Sequence, residues 1–220
     1  VEYLKSLGCK MPEEDKKPEP QTRDRKQEII EFFSKEFGAV KEETIFDIVS
    51  VSPNHNIEIH IIPECIADDS VVLFTTGLST KAIECPVPEG KNKYCELYIQ
   101  LPPGWDYTDH TNAESYWPIL WLKTLAHEFA ETGNWLDDFL IYQTAEGVAP
   151  HLRFDSFLMI SDKGFVDSTD NKVDLSRLVP LYPEERELEN REGLPSLLIG
   201  LDKAGVSMTV DTKRKSIAEF

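Results

Sequence analysis

The stretch Asn56-Ile57-Glu58-Ile59-His60-Ile61-Ile62-Pro63 decides how the chain is read. Ile57, Ile59 and Ile61 fall on one side of an extended backbone, and Glu58 and His60 fall on the other. That is the two-residue period of a half-buried strand. Pro63 ends it, because proline brings no N–H to a ladder. Upstream the period changes. From Thr22 onward, Ile29, Ile30, Phe32, Phe33 and Phe37 recur at spacings of three and four, which predicts a helix stopped at Gly38. Downstream, Val71-Val72-Leu73-Phe74-Thr75-Thr76-Gly77 reads as a more fully buried strand. Cys95-Glu96-Leu97-Tyr98-Ile99-Gln100-Leu101-Pro102-Pro103 reads as a third, again alternating and again ended by proline.

Further along, a helix opens at Ser115 as cap with Pro118 in its first turn and closes at Gly133; Trp117, Leu120, Trp121, Leu125 and Phe129 form its apolar stripe. Strands follow at 157–160 and 176–182. Two short helices, 183–193 and 194–203, break at Gly193. No repeat of fixed period is visible. Strands that end in proline, joined by long segments, favour an α+β fold (an α/β sandwich). It has a central mixed, largely antiparallel sheet flanked by helices, in a single domain. Residues 1–20 stand apart. Val1 to Cys9 reads as a short amphipathic turn and 11–20 as a charged, proline-bearing linker, which leaves 21–220 as the domain.

Of 220 residues, 40% are hydrophobic, enough for a substantial core. Forty acidic against twenty-three basic residues give a net charge of −17. That balance argues against binding nucleic acid, whose phosphates call for surplus Lys and Arg, and against a hold on anionic lipid. Residues 31–100 carry twelve acids and five bases, and residues 101–180 thirteen and five, so −15 of the −17 lies between 31 and 180. Four cysteines without a Cys-x-x-Cys pair point to a reduced, cytoplasmic protein. No apolar run approaches the roughly 20 residues of a membrane helix.

The chemistry-bearing motifs stop short of completion. His127-Glu128-Phe129-Ala130-Glu131 has one histidine fewer than His-Glu-x-x-His. His127 and Glu131 share a helix face, so a metal-dependent hydrolase using both is the alternative reading, with a third ligand still to be supplied. Asp167 to Asp174 resembles part of a calcium loop but lacks its glycine and its closing glutamate, and reads as a turn between strands. Gly77-Leu78-Ser79-Thr80-Lys81 lacks the second glycine of a nucleophile elbow. Cys65, Cys85 and Cys95 are candidate nucleophiles, with His55, His60, His110 or His151 as base, but spacing pairs none of them. No glycine pattern cradles a phosphate, and no cofactor is implied.

A resemblance spans much of the chain. It rests on Leu73-Phe74-Thr75-Thr76-Gly77-Leu78-Ser79, on Glu96 to Trp105, on Trp117-Pro118-Ile119 with Leu122 to Ala126, on Leu178 to Glu185, and on Leu197 to Ser207 with Val210-Asp211 and Arg214-Lys215-Ser216. In order and spacing these motifs resemble the suppressor-of-fused family, and its bacterial branch in particular. The resemblance implies one domain with a central sheet between helices and no enzymatic activity. It also implies an intracellular protein that binds a protein partner. Animal members hold a transcription factor; many bacterial ones are suggested to be immunity proteins that neutralise toxins. The family supplies no catalytic set to carry over. Separately, Val1 to Cys9 is similar to the closing helix of an ankyrin repeat.

Two partners fit these features. One is a basic toxin domain, to which an acidic inhibitor would be steered, although net charge of this size also serves solubility. The other is an extended peptide added to a sheet edge. The expected binding residues are Thr75, Thr76, Gly77, Ser79 and Lys81, in the strand around 73–77 and its following loop.

Overall fold

The computed structural model describes residues 24–43, 45–46, 56–84, 93–134 and 136–217. The turn at Val1–Cys9, the linker at 11–20, Thr22, His55 and Cys85 lie outside the described residues. Among the described residues, seven strands form one sheet in the order β1-β2-β3-β4-β7-β6-β5. They are β1 (Ile45–Phe46), β2 (Glu58–Ile62), β3 (Val71–Thr76), β4 (Tyr94–Leu101), β5 (Phe139–Gln143), β6 (Ser156–Val166) and β7 (Lys172–Leu181). Every neighbouring pair is antiparallel except β4 with β7, which runs parallel from Tyr94↔Val173 to Tyr98↔Arg177. The helices are α1 (Arg25–Glu36), α2 (Ala113–Thr132), α3 (Pro183–Glu192) and α4 (Leu194–Lys203). The α+β class and the mixed, largely antiparallel sheet are as the sequence predicts.

Both faces of the sheet are covered, and the side-chain alternation shows how. Ile57, Ile59 and Ile61 of the quoted stretch join Leu73, Leu97 and Ile99 beneath α2. Phe74, Tyr98, Val173 and Leu175 point the other way and meet Ile29 and Phe33 of α1. The Phe33 and Phe74 rings stack at 3.9 Å. Leu197 and Leu201 of α4 cover Leu158, Ile160, Val179 and Leu181 on that same face. Glu58 and His60 are therefore not solvated. They are 6% and 2% exposed, so β2 is buried on both faces where one wet face is expected. Lys26 of α1 meets the Glu58 carboxylate at 2.7 Å, supplying the partner that a buried charge requires.

The central helix also departs from expectation. Asn112 caps α2, accepting the Glu114 N–H at 3.0 Å, so the helix begins earlier than Ser115 and Pro118 sits in its interior. Gly133 ends it at φ +64°, a left-handed conformation that glycine adopts at little cost. Leu120 is 52% exposed and not part of the stripe. The helix residues in the core are Trp117, Ile119, Leu122, Leu125, Ala126 and Phe129, because Val148, Ala149 and Phe154 also belong to the core under this helix. Trp121 Nε1–H donates to Val148 O at 2.6 Å, tying the helix to the 144–155 segment.

Candidate functional site

The loop after β3 is built around a buried acid from the neighbouring strand. Glu96 is 0% exposed. Its Oε1 accepts the N–H groups of Gly77 at 3.0 Å and Ser79 at 2.9 Å, and the Ser79 hydroxyl at 2.6 Å. Its Oε2 accepts the Thr75 hydroxyl at 2.6 Å. Burial pushes the Glu96 carboxyl above the usual range, against the pull of these hydrogen bonds. Gly77 makes the turn possible, since its φ is +112° and a Cβ there would lie 2.1 Å from Asn56 O.

On the other side of the strand, Thr76 Oγ1 lies 2.8 Å from His60 Nε2. Burial lowers the His60 pKa to about 4, with the nearby Glu58 carboxylate opposing, so the ring is neutral at pH 7. From outside, Arg25 clamps the loop. Its Nη1 donates to Ser79 O at 2.7 Å, its Nε donates to Asp167 Oδ2 at 2.8 Å, and its guanidinium lies 3.6 Å from the Tyr94 ring centre. Burial alone would raise the Asp167 carboxyl, but bonds from Asn171, Thr169 and Arg25 outweigh it and hold it at about 2.

The expected binding residues thus meet in one place, but mostly to serve the protein's own interior. Thr75, Gly77 and Ser79 converge on Glu96, Thr76 faces His60, and Lys81 is exposed. β3 is hydrogen-bonded to β2 on one side and to β4 on the other, so it offers no edge for strand addition.

An open edge lies at β5, a strand missed by the sequence reading. Beyond β6, no described strand pairs with it. Ser161 N–H donates to Asp138 O at 2.9 Å and Thr144 N–H to Asp155 O at 2.9 Å. The even-numbered residues therefore turn their backbone groups to β6, and by alternation those of Phe139, Ile141 and Gln143 point to the free edge. Leu140 and Tyr142 pack under α2, Ile141 packs towards α4, and Phe139 is 40% exposed. The Tyr142 hydroxyl donates to Glu128 Oε2 of α2 at 2.6 Å, which fixes the strand to the helix. Burial and the Glu128 carboxylate push the Tyr142 pKa up to about 12. Asp137, Asp138 and Glu146 flank the strand in exposed positions. The signal was present as Phe139-Leu140-Ile141-Tyr142, a short aromatic and β-branched run bounded by Asp137-Asp138.

The remaining motifs resolve into local structure. His127 is buried and Glu131 exposed on α2, and among the described residues no group of three His, Cys, Asp or Glu side chains is placed to hold a metal. Asp167 to Asn171 is the turn between β6 and β7, and the Asp167 carboxylate is already engaged by Thr169, Asn171 and Arg25. Burial pushes the Cys95 thiol up to about 12 and raises that of Cys65, so neither is a thiolate nucleophile at neutral pH.

Among the described residues, geometry thus defines an α+β domain with a seven-stranded sheet between helices, an acid-pinned loop beside its centre and an open edge at β5. The family model for the suppressor of fused protein matches residues 53–215, and the chain belongs to that family. Solved structures agree on the fold. A chain in the crystal structure of the Sufu–Fu complex is similar at 13% identity and TM-score 0.61, covering 88% of this chain and 92% of its own. A putative suppressor of fused homologue from Neisseria gonorrhoeae FA 1090 is similar at 17% identity and TM-score 0.61, covering 87% of this chain and 93% of its own. Drosophila Suppressor of Fused matches at 16% identity and TM-score 0.55, covering 76% of this chain and 44% of its own. No curated protein sequence matches. Among the described residues no helix is long and apolar enough to cross a membrane.

Proposed function

We propose that this is a non-enzymatic, cytoplasmic binding domain that takes an extended, basic segment of a protein partner as an added strand along β5. The observation that carries this reading is the free edge of β5, which sets the N–H and C=O groups of Phe139, Ile141 and Gln143 facing outward beside exposed apolar surface. Such an edge attracts another strand unless something blocks it, and strand addition uses main-chain bonds for affinity and alternate side-chain contacts for specificity. Membership of a family with a member crystallised as a Sufu–Fu complex supports a protein as the partner.

Charge supports a basic partner. The layer from 102 to 155, which contains α2 and β5, carries nine acids and two bases, whereas α1 is balanced and residues 183–217 carry seven acids and six bases. Residues 37–101 carry ten acids and four bases, so the acidity is shared with that stretch, and the part of it around β5 would steer a basic protein to the edge. An immunity-type role, masking a basic nuclease toxin, follows from the same chemistry, with exposed Lys81 and its loop as a second contact. In this reading residues 1–20 are a linker to the domain at 21–220. Limited proteolysis should cut between 11 and 20 and leave a stable fragment.

The test is a displayed library of ten-residue peptides screened against the intact chain. Selected peptides should be rich in Lys or Arg with alternating apolar residues. Ile141→Pro removes one outward N–H and none directed at β6, and it should abolish their binding while circular dichroism stays native. Selection of acidic peptides, or binding unchanged by Ile141→Pro, would count against the reading.

A further inference from the structure

Glu96 combines three observations that its role as an anchor does not require. It is fully enclosed, it forms no ion pair with a described lysine or arginine, and all four of its hydrogen-bond donors come from Thr75 to Ser79. A carboxyl closed off from water without a cation is more easily held neutral than charged. The site has room for the extra proton. Thr75 Oγ1 accepts the Leu97 N–H at 2.9 Å and has Leu97 O as a second acceptor at 3.4 Å. When Glu96 is ionised, the Thr75 hydroxyl hydrogen goes to Oε2. When Oε2 takes a proton from solvent, it donates to Thr75 Oγ1, and the Thr75 hydrogen swings to Leu97 O. The three donors on Oε1 are undisturbed in either state.

We propose that Glu96 and Thr75 form a proton-operated latch: the turn from Gly77 to Thr80 closes on the neutral acid and loosens when Glu96 ionises. Opening the turn admits water and returns the carboxyl to its ordinary range, so protons bind the closed form more tightly and acid favours closure. Burial raises the Glu96 carboxyl in the closed form, in agreement with that direction. The charged groups around the latch are Arg25 on Ser79 O with Asp167 behind it, Lys93 and Asp174 beside Cys95, Lys81 at the end of the turn, and His60 on Thr76 with Glu58 and Lys26. Burial lowers His60 to about 4, and hydrogen bonds hold Asp167 at about 2. Nothing in this device depends on where the partner binds.

The test is NMR on the intact chain from about pH 8 to about pH 5, following the Glu96 side-chain carboxyl carbon and amide exchange at Gly77 and Ser79 corrected for the intrinsic rate. The carboxyl should titrate with a midpoint above 4.5, the ordinary value. Protection of both amides should rise as it protonates, by up to about tenfold for each pH unit separating the closed and open forms. Glu96→Gln, neutral at every pH, should keep the turn closed and remove the pH dependence. If that variant does not fold, the wild-type titration decides alone. A midpoint at or below 4.5, or protection that stays flat or falls as Glu96 protonates, overturns the proposal.

Discussion

Glu185 and His60 illustrate how single buried polar residues are tied into this fold. Glu185 is 0% exposed and accepts Arg214 Nη1 at 2.5 Å, Arg214 Nη2 at 2.6 Å, Tyr182 N–H at 2.9 Å and Ile217 N–H at 3.1 Å. It closes the first turn of α3 and holds the C-terminal segment against Pro180 O through the same arginine. Arg214→Ala would strand a buried carboxylate and should cost roughly 3–5 kcal/mol in urea denaturation. A loss below about 1 kcal/mol would mean that the pair contributes little. His60 yields a pH prediction. Its folded pKa, about 4, lies below the ordinary 6.5, so its contribution is present above pH 6.5 and lost as pH falls towards 4. His60→Gln should flatten the decline in denaturation midpoint across that window. These side chains were legible as polar residues but not as buried ones. Their partners lie 16 residues away for His60 and Thr76, 17 for Glu96 and Ser79, and 142 for Arg25 and Asp167, beyond any local pattern.

At the scale of elements, strong local periodicity was enough to place α1, β2, β3, β4, α3 and α4. The helix over α1 shows Ile29 and Phe33 on one face, and Gly38 and Gly133 stop their helices. What periodicity cannot show is which second surface covers an element. By spacing alone Leu120 falls in the stripe of α2 and β2 has a wet face, yet Leu120 is exposed and α1 covers β2. β6 and β7 run longer than their apolar cores, because register pairs such as Gly164↔Asp174 and Val166↔Lys172 extend the hairpin through polar residues. Pro180 is tolerated in β7 at a position beyond the last residue paired to β4, Arg177. Two element-level changes are diagnostic. Gly77→Ala forces a Cβ to 2.1 Å from Asn56 O at φ +112°, and should cost more than about 2 kcal/mol and expose the β3 turn to protease. Tyr98→Phe removes the hydroxyl bonded to Asp162 at the end of the parallel pair, where Arg177 also binds Asp162 at 2.7 Å. It should cost about 1–2 kcal/mol, and an unchanged denaturation midpoint would show that the network does not support the β4–β7 junction.

For the whole molecule, the fold class and the family were legible in the sequence, and the open edge at β5 was not. The expected binding residues point to an open strand at 73–77, but sheet order places β3 inside and β5 outside, and order is set by long-range pairing that no local motif reports. Of the charge between 31 and 180, the stretch 102–155 that contains α2 and β5 carries nine acids against two bases. Association with the selected basic peptides should therefore weaken with salt mainly through the on-rate, and reversing Asp137 and Asp138 to Lys should slow it by roughly tenfold or more at low ionic strength. The most direct test of strand addition is amide hydrogen exchange of the intact chain with and without the tightest selected peptide. The account predicts new protection at Phe139, Ile141 and Gln143, with the β6-facing amides of Leu140 and Tyr142 little changed. Protection gained elsewhere, for instance along α3 and α4 with the β5 amides unaffected, would contradict it.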